Sequence, residues 1–240
     1  MKKLITSILV ITCIACSHGQ WKNSIKGNGN EVTVERETGD YDGVAIGSFF
    51  EAELVEGTEG KITITSEDNL LDYIETEVVN GILVIKAKDN KQLRPSSGNT
   101  VFISIPVKQI TTIRLSGSGQ VVGKMKFKAE RFKVHTSGSK NGEFSIETNS
   151  FDVITSGSSH LILEGTSNQL NITSSGSSQL KAFELETDDL EIRSSGSSNI
   201  RITVNNSINS RSSGSSNVKY RGNPEIVTGH PSGSSKVSKE

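Results

Sequence analysis

Apolar and polar residues alternate along most of the chain, and a short phrase, Ser-Gly-Ser, interrupts the alternation at a near-constant interval of 18 to 21 residues. On both sides of most of these glycines, apolar residues stand four and six positions away. Apolar positions two apart indicate a β-strand with one buried face. The glycines of the phrase are Gly117, Gly138, Gly157, Gly176, Gly196, Gly214 and Gly233.

A repeat of this length with strand alternation predicts one coil of a β-solenoid per repeat, with about three short strands and their corners in each coil. One coil cannot bury its apolar face alone, whereas stacked coils build a continuous core. Equivalent positions then form columns with a spacing of about 4.8 Å. We therefore expect an all-β protein whose regular coils, of about 19–20 residues each, occupy residues 111–240.

The Ser-Gly-Ser phrase itself predicts a tight corner of the coil. Strand parity places the glycine and the residues two before and two after it on the inward side, where small residues fit. The neighbouring serines then face outward and stack as hydroxyl columns that satisfy one another's hydrogen bonds. Two interpretations remain: the phrase is only a corner, or the outward serines bind a ligand. The candidate binding residues are Ser156, Ser175, Ser195 and Ser213.

Residues 25–110 lack the repeat, but their alternation also predicts β-structure. Asn80-Gly81 is a typical pair for the turn of a β-hairpin. Residues 66–73 predict one helical turn, with Glu67 as part of the helix start rather than of a metal site. Residues 91–99 predict an exposed loop. We expect less regular coils here, continuous with the regular stack and capping it.

The first 19 residues are typical of a secretory signal peptide, with two lysines, an apolar run over residues 4–15 and then small residues. Two processing routes remain open: cleavage before Gln20, or a lipoprotein signal that ends before a lipidated Cys16. Either route predicts an exported protein of the periplasm, outer membrane or cell surface, attached to a membrane only through a lipid on Cys16. Both cysteines lie in this segment, so we expect no disulfide in the mature chain.

Composition and motifs exclude several classes of function. The net charge of −1 offers no basic footprint for nucleic acid. A catalytic serine needs a base and an orienting acid, and the chain has no G-x-S-x-G motif. The neighbouring Asp188 and Asp189 point to opposite faces of a strand, which does not suit a glycosidase acid/base pair. We expect no catalytic residue, no metal site and no cofactor.

Several stretches of the chain resemble the head-GIN-domain proteins of Bacteroidetes, which are known as auto-transporter adhesins. They are "GNGNEVTVERETGDYDGVAIGSFFEAELVEG" from Gly27, "LLDYIETEVVNGILVIKAK" from Leu70, "IRLSGSGQV" from Ile113 and the later SGSS copies. The resemblance implies a right-handed parallel β-helix, similar in shape to pectin lyases but without their catalytic residues, and a role in adhesion. Family members often carry an acidic residue in each corner; here Gln, Asn, His or Lys stands there, so no calcium array is expected.

We therefore expect a non-enzymatic surface or envelope protein, an adhesin that binds glycans or proteins through polar solenoid faces. The alternative is an envelope structural protein that associates with further copies of itself, since flat sides and open ends both permit homo-oligomers. A polysaccharide-active enzyme of β-helix type is the third hypothesis. It requires a carboxylate cleft that the sequence does not indicate.

Overall fold

The computed structural model describes residues 23–240, so the predicted signal peptide and Cys16 lie outside the described residues. Strands make up 73% and helix 2% of the structure. In chain order the elements are β1 (Asn23–Lys26), β2 (Glu31–Gly39), β3 (Gly43–Ile46), β4 (Glu51–Glu56), β5 (Gly60–Glu67), α1 (Asp68–Leu71), β6 (Ile74–Val79), β7 (Ile82–Ala87), β8 (Lys91–Arg94), β9 (Phe102–Val107), β10 (Thr112–Leu115), β11 (Gln120–Thr136), β12 (Asn141–Gly157), β13 (His160–Gly176), β14 (Gln179–Gly196), β15 (Asn199–Gly214), β16 (Asn217–Arg221), β17 (Ile226–Gly233) and β18 (Lys236–Lys239).

The strands wind as a β-solenoid of about seven turns, which confirms the predicted fold class. Within the repeats, each strand pairs in parallel with the strand of the next coil, and Gly157, Gly176, Gly196 and Gly214 align in one column. The expectation of three separate short strands per coil was wrong. Strands β11 to β15 each run for 16 to 18 residues. Because the backbone bends at local register shifts rather than breaking its pairing, a coil is largely one strand.

The core runs through the middle of the coils. Its regularity is clearest in the column formed by Phe151, Leu170, Leu190 and Ile208, each at most 2% exposed. Burying one side chain of this size contributes about 1.5–3 kcal/mol. Since every coil repeats the contribution, the stack is stabilised by neighbouring coils rather than by a single central cluster.

The N-terminal part contains the predicted local elements and one that was missed. Strands β6 and β7 form an antiparallel hairpin, and Asn80 and Gly81 at its turn have φ angles of 51° and 75°. Both the hairpin and the helical turn α1 are confirmed. The loop predicted for residues 91–99 was partly wrong, because its first four residues form β8. That strand pairs with β1 and buries Leu93 to 5% exposure.

The irregular and regular parts share one sheet. Strand β3 pairs in parallel with β7 on one side and with β10 on the other, and β10 then pairs with β11. Ala45, Arg114 and His135 therefore belong to one outward column, although only the last two lie in or next to the repeats. This column continues across the boundary, but it is polar only on the repeat side, because Ala45 is followed by Val84.

Candidate binding surface at the Ser-Gly-Ser corner

Each Ser-Gly-Ser corner is built on a glycine that no other residue replaces easily. Gly196 has a φ of 106°, in the left-handed region, and a Cβ built on it would lie 2.5 Å from the carbonyl oxygen of Gly176. The next residue, Ser197, donates its N–H to that same carbonyl at 2.8 Å. The glycine was predicted to face inward, and this was wrong: it is exposed. The left-handed residue turns the chain at this point and breaks the strand parity.

The candidate serines Ser156, Ser175, Ser195 and Ser213 lie in register on the outward side of successive coils. The last three are exposed and Ser156 is half-buried. The Ser156 hydroxyl donates to the carbonyl of Thr136 at 3.3 Å. Within residues 23–240, the hydroxyls of the other three have no hydrogen-bond partner. The expected self-satisfied outward ladder was therefore wrong, since an exposed hydroxyl bonds to water without cost and nothing draws the side chains together.

A hydroxyl network does exist, but it faces inward. Thr155 Oγ1 lies 3.0 Å from both Ser174 Oγ and Ser178 Oγ, which are themselves 2.5 Å apart. In the following coils, Ser216 Oγ lies 2.7 Å from Ser194 Oγ and is also bonded to the hydroxyl of Ser198. These side chains are at most 5% exposed, so each needs a partner inside the corner. Sequence reasoning noted that these positions are small but missed that nearly all of them carry a hydroxyl.

Lys140 stands two residues after Gly138, at the inward position that serine occupies in the later coils. Its side chain is fully buried, and its Nζ donates to the carbonyls of Phe50 at 2.6 Å and Ser48 at 3.4 Å. Burial lowers the pKa of Lys140 to about 8, although the nearby Glu51 opposes the shift. The ammonium group thus ties the corner at Gly138 to the chain segment before β4.

In the later coils, cationic side chains stand beside the corner. Lys181, Arg201 and Lys219 form one outward column on its C-terminal side. Arg193 and Arg211 form another on the N-terminal side, where Arg193 pairs with Glu191 at 2.7 Å. The corner therefore combines free hydroxyls with positive charge, which suits polar or anionic groups better than apolar ones.

Two acidic groups that the sequence singles out, Asp189 and Glu67, are engaged in structural hydrogen bonds. Asp189 accepts from Asn206 at 2.7 Å and from Ser207 at 2.6 Å, whereas its neighbour Asp188 is exposed. Glu67 stands at the N-cap of α1, as predicted, but the expected capping role was wrong because its side chain makes no capping bond. Instead it is buried and accepts from the N–H groups of Gly29 and Ser96 and the amide of Asn99.

Within the described ranges, no cluster of three or more His, Cys, Asp or Glu side chains is arranged to hold a metal ion. None of the helices in this part of the chain has the length and apolar character needed to cross a membrane.

Known proteins similar to this chain share its fold. A crystal structure of a putative adhesin from Bacteroides fragilis is 20% identical, with a TM-score of 0.82 over 90% of this chain and 100% of that one. A putative lipid binding protein from Parabacteroides distasonis is 25% identical, with a TM-score of 0.71 over 90% and 99% of the two chains. A putative adhesin from Parabacteroides merdae is 16% identical, with a TM-score of 0.71 and the same coverage. Among curated proteins, none matches the chain.

The sequence also matches the family described as "Putative auto-transporter adhesin, head GIN domain" over residues 40–224. Because this match spans well over half of the 240 residues, the chain belongs to the head GIN domain family.

Proposed function

We propose that this protein is a non-enzymatic, exported adhesin that binds glycans or proteins of a surface through the outward polar faces of its solenoid. The family and the similar solved structures named as adhesins support an adhesive role. The outward serines Ser156, Ser175, Ser195 and Ser213 form part of the contact surface.

The observation that carries the proposal is the difference between the two sides of the corner. The inward hydroxyls bond to one another, whereas those of Ser175, Ser195 and Ser213 have no partner within residues 23–240. Their spacing of about 4.8 Å follows from the strand pairing. Because strand pairing fixes the backbone positions of the column, a ligand meets these hydroxyls without reordering of the backbone, which lowers the entropic cost of binding.

The test is a glycan-array screen of residues 20–240, run beside a variant in which Ser156, Ser175, Ser195 and Ser213 are all changed to Ala. We expect the parent to bind at least one glycan and the variant to lose that binding while its Tm stays within a few degrees of the parent's. A parallel screen against surface proteins covers the case of a protein ligand.

A matched control removes four exposed polar side chains from another side of the coils, namely Thr166, Asn168, Gln169 and Asn205. This control is expected to bind like the parent. Equal binding by the parent and the serine variant would contradict a contact at the corner, and it would leave the Ser-Gly-Ser phrase as a corner alone.

Export is the second element of the proposal, and it rests on residues 1–19. We expect the mature protein to begin at Gln20, or at a lipidated Cys16 that anchors it to a membrane. Mass spectrometry of the protein from fractionated cells separates the two routes, and a Cys16→Ala variant would release a lipoprotein from the membrane fraction. An uncleaved chain in the cytoplasm would contradict export.

Self-association is a second candidate function, and one observation favours it. Ile226 and Val227 on β17 are 60% and 45% exposed, although Val227 belongs to a column that is buried in the earlier coils. A second copy stacked on this turn would cover both side chains. Sedimentation velocity then shows a dimer that Ile226→Lys disrupts, whereas a monomer at all concentrations would exclude this candidate.

A further inference from the structure

One stretch of β11, residues 124–132, lies beside a cavity and has no strand partner toward the preceding coil among the described strands. Toward the preceding coil, β11 pairs with β4 over residues 121–123 and with β10 over residues 133–136. Among the described strands, none pairs with residues 124–132 on that side. A cavity of about 680 Å³ lies there, lined by residues of 109–114 and 129–133 and by Asp152. We call it the edge cleft.

The volume and lining of the edge cleft suit a polar ligand. Binding pockets for small molecules commonly have volumes of roughly 300–1,000 Å³. Gln109, Thr111 and Thr112 line the cleft and carry an amide and two hydroxyl groups, and the Thr111 hydroxyl also lies 3.4 Å from the carbonyl oxygen of Asp42. Residues 129–131 line it as well, at an edge where the absence of a strand partner leaves main-chain groups available.

Three cationic side chains line the edge cleft: Arg114, Arg131 and Lys133. All three are exposed. Within residues 23–240, neither guanidinium group has an ion-pair or hydrogen-bond partner. Lys133 has only a long contact, 3.9 Å from its Nζ to Asp152 Oδ2. The cleft thus offers two guanidinium forks, which match the geometry of carboxylate and sulfate groups, and one ammonium group.

The two acidic side chains of the cleft are already engaged by the next coil. Asn149 donates to Glu130 Oε1 at 2.8 Å, and Asn171 donates to Asp152 Oδ1 at 3.1 Å. These bonds hold both carboxylates toward the following coil and leave the arginines without a protein anion. The charge that would complement the cleft is therefore negative and external.

A cavity farther along the stack provides a comparison. It has a volume of about 270 Å³, and its charged lining residues are Asp189 and Glu191. This cavity does not share the positive lining of the edge cleft.

We propose that the edge cleft binds the acidic groups, carboxylate or sulfate, of an anionic saccharide. The inference rests on the proposed function, since it names the class of ligand that an adhesive face of this protein recognises. Arg114 and Arg131 bind the acidic group in bidentate fashion, Lys133 adds charge, and the hydroxyls of Thr111 and Thr112 hydrogen-bond to the sugar ring.

The test measures the affinity of residues 20–240 for four probes: oligogalacturonate, dextran sulfate, neutral dextran and poly-glutamate. The cleft variant carries Arg114→Gln, Arg131→Gln and Lys133→Gln. The control variant carries the same change of charge at Lys26→Gln, Arg94→Gln and Lys239→Gln, which are exposed cations outside the cleft. We expect the cleft variant to bind an acidic saccharide at least about ten-fold more weakly, and the control variant to change by less than about three-fold.

Oligogalacturonate tests recognition of carboxylate, and dextran sulfate tests recognition of sulfate. Weaker binding of either probe in the cleft variant, but not in the control variant, supports the proposal. If the affinity fell equally in both variants, the binding would be due to general charge attraction, and the proposal would be overturned. Poly-glutamate binding with the same dependence on the cleft would assign the site to an acidic peptide, which also overturns it. Array binding to neutral glycans alone would overturn this inference while leaving the proposed function intact, and Tm values verify that both variants fold.

Discussion

The regular coils and the N-terminal part bury polar groups in different ways. At the corners of the coils, buried hydroxyls bond to other hydroxyls of the same coil or of the next one, as those of Thr155, Ser174 and Ser178 do. In the N-terminal part, Glu67 is satisfied by unique partners from segments far apart in sequence. Lys140, at the boundary, reaches the carbonyls before β4 in the same way. A repeated sequence can therefore build its polar core from one small residue type, whereas the irregular part needs long charged side chains.

The same difference applies to the surface. Repetition produces straight columns on the outward faces of β12 to β15, with free serine hydroxyls beside the corner. Where the irregular part meets the repeats, strand pairing is incomplete along β11, and the edge cleft forms there. Each region thus contributes a different kind of candidate contact: a flat column and a cleft.

Replacing a stacked glycine is expected to have the largest effect on stability. Gly196→Ala places a Cβ against the carbonyl of Gly176 at a residue with φ of 106°, so the free energy of unfolding falls by about 3 kcal/mol or more. Gly98→Ala is the matched change in the N-terminal part, where φ is also positive, at 89°, but no atom lies within 4 Å. Its expected cost is about 1–2 kcal/mol. Urea denaturation of both variants measures the difference, and equal losses would contradict the steric account of the glycine column.

Glu67→Gln is expected to cost somewhat less, about 2–3 kcal/mol, because it replaces a charged acceptor of three hydrogen bonds in a buried position. Burial alone would raise the pKa of Glu67, but the bonds from Ser96, Gly29 and Asn99 outweigh it and hold the pKa below its usual value. The unfolded chain then binds the proton more tightly, so this part of the stability is lost as the pH falls below the unfolded value of 4.5. Denaturation from pH 7 to 3 checks this, and the variant should lack the acid-dependent loss due to this residue.

Because of Lys140, we expect the free energy of unfolding to depend on pH in the alkaline range. Its pKa is about 8 in the folded protein against 10.5 when unperturbed, so the unfolded chain holds more protons between these values and stability rises with pH across this window. Lys140→Met should remove a slope of roughly 1 kcal/mol per pH unit. Measurements should stop near pH 10, where Tyr41, whose pKa is raised by burial, begins to ionise in the unfolded chain. Parallel profiles for the parent and the variant would contradict a lowered pKa.

The smallest expected effects compare the two sides of one corner. Ser174→Ala removes a buried hydroxyl that bonds to two others, and we expect a loss of about 1 kcal/mol. Ser175→Ala, the next residue, removes an exposed hydroxyl and should change stability by less than about 0.5 kcal/mol. Chemical denaturation of the two single variants gives the comparison, and a larger loss for Ser175 would mean that the outward column is structural.

The sequence was sufficient for the coil period, the core columns and the hairpin, because each depends on local alternation or on one turn pair. It was insufficient for the environment of Glu67, whose partners at residues 29, 96 and 99 are distant in sequence. The buried Lys140 was missed for a similar reason, since its carbonyl partners lie about 90 residues earlier.

The candidate corner could be located from the sequence, but the roles of its two sides could not. Strand parity identified Ser175 and its equivalents as outward, and the structure places them so. Parity fails at the glycine because a positive φ reverses the direction of the chain there. The edge cleft could not be predicted, because it arises where strand pairing is absent, and no local pattern marks that position.

The most direct test of the account measures affinity and Tm on two variants of the same corner, using the strongest ligand from the array. The outward variant changes Ser156, Ser175, Ser195 and Ser213 to Ala, and the inward variant changes Ser174, Ser178, Ser194 and Ser198 to Ala. We predict that the outward variant loses affinity at least about ten-fold with an unchanged Tm, while the inward variant loses several degrees of Tm and binds normally below it. Unchanged affinity in the outward variant, or weakened binding in a fully folded inward variant, would contradict the division of the corner into a structural and a binding side.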